Sequence, residues 1–183
     1  MGTKKICIIG GESTYKTTLS KNLSNYFNYP WIEEYAISYF KNRDFDKNPF
    51  CESDFIKVAI GQLDLEKKSI DENKNSSLII CDTCPLVTLL WSDKLIGYYS
   101  NELLKIVRES KYDLYLFLDY KTKWVDDELR LIPEEKEREI FQSKLIEKCK
   151  DLEIKYHLLD GSYVDRERRA IKIIQDFTET ILK

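Results

Sequence analysis

The chain has 183 residues, 43% of them hydrophobic and 33% charged, with a formal net charge of −3, which suits one domain with a core of its own. The acid excess excludes a bulk basic face for nucleic acid, and no apolar run approaches the ~20 residues that a bilayer span needs. A polar N-terminus running straight into a buried-type strand carries no secretory signal, and an odd count of five cysteines then reads as free thiols in a reducing, cytoplasmic compartment.

Ile6-Cys7-Ile8-Ile9 is a continuous apolar run, the pattern of a strand buried on both faces of a parallel sheet. After a polar loop, Leu19, Leu23, Tyr26 and Phe27 recur at helical spacing and predict a helix from about Lys16 to Phe27. Trp31-Ile32, after Pro30, makes a short second strand that ends in Glu33-Glu34-Tyr35; Lys41 to Asn48 is turn-like. Ser53 is a plausible N-cap for a helix with Phe55, Val58, Ala59, Gln62 and Leu63 on its inner side. Leu78-Ile79-Ile80-Cys81 is a third strand that delivers Asp82-Thr83, followed by helices from Pro85 to about Leu95 and from about Asn101 to Glu109. Leu114 to Leu118 is a fourth strand, and a charge-dense stretch from Lys121 to Arg130 reads as a lid, bounded at about 121–133. Pro133 opens a long charged helix to about Lys150, Tyr156 to Leu159 is a fifth strand, and the last helix uses Ala170, Ile173, Ile174 and Phe177 as its inner stripe. Alternation throughout predicts an α/β fold, with five parallel strands flanked by helices, in a single domain over 1–183.

The chemistry concentrates after the first strand, in Gly10-Gly11-Glu12-Ser13-Thr14-Tyr15-Lys16-Thr17-Thr18. Strand, polar loop, Lys-Thr and helix is the layout of a phosphate-binding loop (P-loop). Its N–H groups and lysine surround a polyphosphate, and its hydroxyl reaches Mg²⁺. Lys16 would neutralise the β- and γ-phosphates of ATP and Thr17 would ligate the metal. The general pattern G-x-x-x-x-G-K-[ST] has glycine where Tyr15 stands. A positive φ there would cost an ordinary residue about 1–3 kcal/mol. Two outcomes are open: a reshaped loop, or a strained one whose ring covers the nucleotide. Asp82, at a strand end, is placed to act on Mg²⁺ through water or to cap the next helix. Glu33 and Glu34 share that edge, where a carboxylate can orient or deprotonate an acceptor hydroxyl, or be ordinary surface charge. Arg130 would stabilise transferred charge from the lid. Cys81-x-x-Cys84 lacks the second pair or the histidines of a zinc site, since His157 is the one histidine.

These motifs in this order resemble the ribosylnicotinamide kinase domain of NadR-type proteins and related small P-loop ATPase domains. GGESTYKTTL at Gly10–Leu19 is similar to that family's GGESSGKS loop, and EEYA at Glu33–Ala36 to its E-Y-(A/G)-R-E-Y stretch. DFIKVAIGQ at Asp54–Gln62 is similar to its helix ending in G-(H/Q), and CDTCPLVT at Cys81–Thr88 to its D-T-D strand end. WVDDELR at Trp124–Arg130 and SYVDR at Ser162–Arg166 are similar to its W-V-D-D-G-L-R and S-Y-x-D-R. The pattern departs at Tyr15, at Ile37 for arginine, and at Cys84 for the second aspartate of D-T-D.

The resemblance implies a P-loop NTPase of the nucleoside- and nucleotide-kinase kind. Such an enzyme phosphorylates the ribose 5′-hydroxyl of nicotinamide riboside with ATP and Mg²⁺, in NAD salvage. Carried over by position, Gly10 to Thr18 would hold ATP, and Thr17 with Asp82 the metal. Glu34, Tyr35, Trp124, Asp126 and Asp127 would face the riboside, with Lys16, Asp82, Glu34 and Arg130 catalytic. Full-length relatives carry a nucleotidyltransferase domain and some a DNA-binding domain; neither is expected in a chain that starts at the first kinase strand. The other readings are a regulatory module that binds ATP or an NAD-related metabolite without turnover, and a kinase for another nucleoside-like acceptor.

Overall fold

In the computed structural model, which describes residues 2–122 and 131–181, strands and helices alternate as the apolar runs predict. The sheet is built from β1 (Lys4–Ile9), β2 (Trp31–Ile32), β3 (Leu78–Asp82), β4 (Leu114–Leu118) and β5 (His157–Leu159), in the order β2-β3-β1-β4-β5. Every pairing is parallel. β1 lies between β3 and β4: the chain leaves β1 for β2 on one side and later crosses from β3 to β4 on the other, and the carboxyl edge at this switch point is where such sheets bind ligands. The register pairs Ile8 with Asp82 and Ile9 with Phe117, which brings the loop after β1 level with the ends of both neighbours.

Alternate residues of the buried strands feed two cores. Cys7, Ile9, Tyr115 and Phe117 face one side. There they meet α3 (Glu52–Glu72), α4 (Pro85–Ile96), α5 (Asn101–Glu109) and α6 (Glu135–Asp151) through Phe55, Leu86, Leu90, Leu103 and Phe141. Ile6, Ile8, Leu114 and Leu116 face α1 (Lys16–Phe27) and α7 (Tyr163–Ile181) through Leu19, Leu23, Ala170 and Ile174. Removing this much apolar surface from water on both faces is what holds the strands flat between two helical layers. Among the described residues, no helix is long and apolar enough to cross a membrane.

Two element starts change, and one helix is added. After β2 the chain turns into a short helix, α2 (Tyr35–Phe40), where the sequence assigns no element. Tyr-Ala-Ile-Ser-Tyr-Phe is too short and too uniformly apolar to show a period, so its sequence reads as strand as readily as helix. α3 starts one residue before the predicted cap: Cys51 is the N-cap, and the Asp54 carboxylate accepts the Cys51 N–H at 2.9 Å. α6 begins at Glu135 rather than at Pro133. Trp124, Asp126, Asp127 and Arg130 lie outside the described residues.

Candidate active site

The loop after β1 is closed by its own backbone. A Cβ on Gly10 would stand 2.9 Å from the Leu118 carbonyl and 3.0 Å from Thr14 Oγ1, so only glycine lets the loop pass β4 so closely. The Thr14 hydroxyl and the Lys16 ammonium both donate to the Gly11 carbonyl, at 2.9 and 2.8 Å. Ser13 and Tyr15 take left-handed conformations, φ 56° and 80°, on either side of Thr14. Alternation of this kind curls successive N–H groups into an anion-binding concavity. α1 starts directly behind it, adding the positive end of its dipole.

Three tethers fix this loop to the rest of the carboxyl edge. The Glu12 carboxylate accepts the N–H groups of Leu131, at 2.8 Å, and Ile132, at 2.9 Å. The Thr122 hydroxyl donates to the Ser13 carbonyl at 2.6 Å. Both flanks of the expected lid are therefore bonded to the phosphate loop. The third tether is Arg166, a fully buried guanidinium on α7. It donates to the carbonyls of Thr14 at 3.2 Å, Asp119 at 3.0 Å and Gly161 at 3.0 Å. One cation thus ties the loop, the end of β4 and the turn before α7 together. Sequence reading found Arg166 as part of a motif but gave it no role; backbone carbonyls as partners leave no trace in a sequence.

Asp82 closes β3 with no exposed surface, and among the described residues neither carboxylate oxygen has a hydrogen-bond partner. Burial pushes its carboxyl up; the nearby Lys16 ammonium and Thr17 hydroxyl favour the charged form. Thr17 does this without a hydrogen bond of ordinary geometry to either oxygen. A carboxylate left this way is costly in a free core and is the donor that a hydrated divalent cation would satisfy. Asp82 does not cap α4: Cys84 is the N-cap. The residues present therefore fit a divalent cation, which Thr17 and Asp82 would hold.

Glu34 and Glu33, inseparable in the sequence, part ways here. Glu33 is exposed. Glu34 keeps some surface of its own, yet its carboxyl is densely enclosed and burial pushes it up from 4.5 to about 7; Lys16 opposes this, and Asp82 and Glu12 add to it. Glu34 does not use its side chain to cap α2. Lys16, Asp82, Glu34 and Glu12 thus form one electrostatic cluster at the sheet edge. Tyr35 instead turns towards α3: its N–H donates to Gln62 Oε1 at 2.9 Å, and its ring covers Gly61. Thr18 is exposed on α1.

A family model described as an AAA domain matches residues 5–166. The chain belongs to that AAA domain family. It is 28% identical over 175 residues to the trifunctional NAD biosynthesis/regulator protein NadR of Salmonella typhimurium, covering 94% of this chain and 42% of that protein. Against the protein of the same name from Escherichia coli the identity is 27%, with the same coverage. The chain therefore spans about two-fifths of the length of the curated relatives it matches. A crystal structure of NadR in complex with NR superposes with a TM-score of 0.81 at 26% identity, over 97% of this chain and 52% of that one. Deoxyadenosine kinase from M. mycoides, with a TM-score of 0.61 at 18% identity over 96% of this chain and 99% of its own, shares the fold. The resemblance to NadR and the P-loop kinase fold are both borne out.

At the three departures from the family pattern, the residues are built into the structure. Ile37 is 47% exposed on α2. Cys84 is buried in the core below α4. Tyr15 takes a left-handed conformation that favours glycine, and its ring stacks on Tyr163 of α7 at 4.3 Å and 14°. Asn22 donates to its hydroxyl at 3.3 Å. The strain, about 1–3 kcal/mol, is offset in part by an aromatic pair worth about 0.5–1.5 kcal/mol. We expect Tyr15→Gly to stay within about 1 kcal/mol of the parent in thermal unfolding, because relief of strain and loss of the stack oppose each other. Turnover should change no more than a few-fold, since the ring is engaged with α7. A gain above about tenfold would instead mark the ring as an obstruction over the phosphates.

Proposed function

We propose that the chain is an ATP-dependent small-molecule kinase whose acceptor is nicotinamide riboside or a closely related nucleoside. The observation that carries this reading is the Asp82 carboxylate, buried without a partner beside Lys16 and Thr17 at the edge of a phosphate-type loop. The kinship with NadR, including the NR complex, supports the riboside as acceptor.

In this reading the N–H groups of Gly10 to Thr18 and the Lys16 ammonium hold the β- and γ-phosphates. Thr17 and Asp82 would hold Mg²⁺, which when bound would supply neutralisation of the phosphate charge. Glu34 orients the acceptor hydroxyl and takes its proton as oxygen attacks the γ-phosphorus and the bond to ADP breaks. A carboxyl near neutrality is matched to that task. The raised position of Glu34, in contrast to exposed Glu33, supports it over its neighbour as the base. By the resemblance, Trp124, Asp126, Asp127 and Arg130 would complete the acceptor side and the lid, while Tyr35, its ring against Gly61, braces α2 on α3. Catalysis is then mainly positioning and charge neutralisation.

The test is ADP release from ATP-Mg²⁺ with a panel of ribosides. Nicotinamide riboside should accelerate it and yield the 5′-phosphate. Tight nucleotide binding with no acceleration by any riboside would replace this reading with that of a regulatory nucleotide-binding module, and acceleration by a different nucleoside would move the acceptor assignment.

A further inference from the structure

Next to Asp82 stands a residue that breaks two rules at once. Thr83 has φ 80°, a conformation in which a β-branched residue is an outlier. Its side-chain hydroxyl is buried and, among the described residues, has no hydrogen-bond partner. Its backbone, by contrast, is fully used. The Thr83 N–H donates to the Ile8 carbonyl at 3.1 Å, and Cys7 Sγ donates to the Thr83 carbonyl at 3.4 Å. These bonds turn the chain from β3 into α4, and glycine would serve them without strain and without an orphaned hydroxyl. The turn's hydrogen bonds therefore do not call for threonine here. Strain and unsatisfied polarity kept together are found where a site needs a group in a fixed place.

Three of the buried side-chain oxygens without a partner belong to these two consecutive residues, both oxygens of Asp82 and the hydroxyl of Thr83. One hydrated ligand within reach of both side chains would satisfy them all. We propose that Thr83 is a positioning residue for the divalent cation of the bound nucleotide, its hydroxyl hydrogen-bonding to the cation's water shell beside the Asp82 carboxylate. The inference rests on the phosphate-loop part of the proposed function but not on the identity of the acceptor.

Opposite signs in two measurements test it. In the ligand-free protein, Thr83→Val removes an unsatisfied buried hydroxyl at constant shape, so its melting temperature should equal or exceed that of the parent. By calorimetry, the same variant should lose about tenfold in affinity for ADP with Mg²⁺, while affinity in EDTA is unchanged. Thr83→Ser should restore the Mg²⁺-dependent affinity. Thr83→Gly relieves the strain but empties a buried side-chain site, and it should share the valine defect, which covers the case of a valine variant that does not fold. A valine variant of lower melting temperature whose affinity falls equally with and without Mg²⁺ would assign the hydroxyl to the fold and overturn the proposal, as would unchanged Mg²⁺-ADP affinity. If the parent binds Mg²⁺-ADP but phosphorylates no riboside, the acceptor assignment falls and Thr83 keeps its role; if Mg²⁺ does not strengthen ADP binding to the parent, both fall.

Discussion

Lys16→Ala should lower turnover by about 10²–10³-fold, the usual cost of removing one preorganised charge or donor from the site of developing negative charge. Its effect on folding should be small. Among the described residues the side chain's hydrogen bond is to the Gly11 carbonyl, made on a half-buried surface. The loss of turnover has a second source besides the missing phosphate contact. Lys16 is the cation that holds down both Glu34 and Asp82, while Glu12 adds negative charge beside Glu34. Without it, the carboxyls repel one another more strongly, Glu34 and Asp82 shift further upward, and the pH at which turnover reaches half its maximum should rise. Lys16→Arg should recover little, because a planar fork does not replace a compact ammonium inside a tight loop. Steady-state kinetics across pH, with nucleotide affinity measured alongside, separates the two sources. An alanine variant with parental affinity and turnover would remove the phosphate-loop assignment altogether.

The elements that were legible in the sequence are those fixed by burial. Four consecutive apolar residues at Ile6–Ile9, and similar runs at Leu78–Cys81 and Leu114–Leu118, can be satisfied only between two helical layers, and the structure places them there. The loop at Gly10–Thr18 was legible because glycine, lysine and threonine at those spacings each have a physical task. What could not be read are features created by proximity across the chain. Glu34 and Glu33 have identical side chains, and the charges that act on Glu34 beside its burial, those of Lys16, Asp82 and Glu12, come from residues distant from it in sequence. The bonds from Leu131 and Ile132 to Glu12, and from Arg166 to Thr14, span more than a hundred residues and use backbone groups that any residue would present. Tyr15 reads as an anomaly until Tyr163, on the last helix, is seen against its ring. Thr83 reads as an ordinary threonine because φ is not written in a sequence.

Glu34→Gln should lower turnover by about 10²–10⁴-fold, the range for loss of a general base, and should abolish a rise in kcat/KM centred near neutral pH. The base must be ionised to accept the hydroxyl proton, and burial holds Glu34 up at about 7 in the free protein, so the parent's kcat/KM should climb as pH passes through that value. Because Glu34 and Asp82 influence each other, the limb belongs to the pair and should move to lower pH when Mg²⁺ is added. The same shift has a consequence for stability, of opposite sign to that of most carboxylates. With the folded value raised from 4.5 to about 7, the folded state binds more protons than the unfolded state between those limits. Its contribution to stability therefore falls as pH rises through that window and is unfavourable above it. Glutamine carries no such dependence. In ligand-free protein the variant should gain stability relative to the parent from about pH 5 to 7, a difference readable by denaturant titration at several pH values. Loss of turnover with no change in that stability difference would show that Glu34 contacts the acceptor but titrates as an ordinary carboxylate, and the role of base would then pass to Asp82.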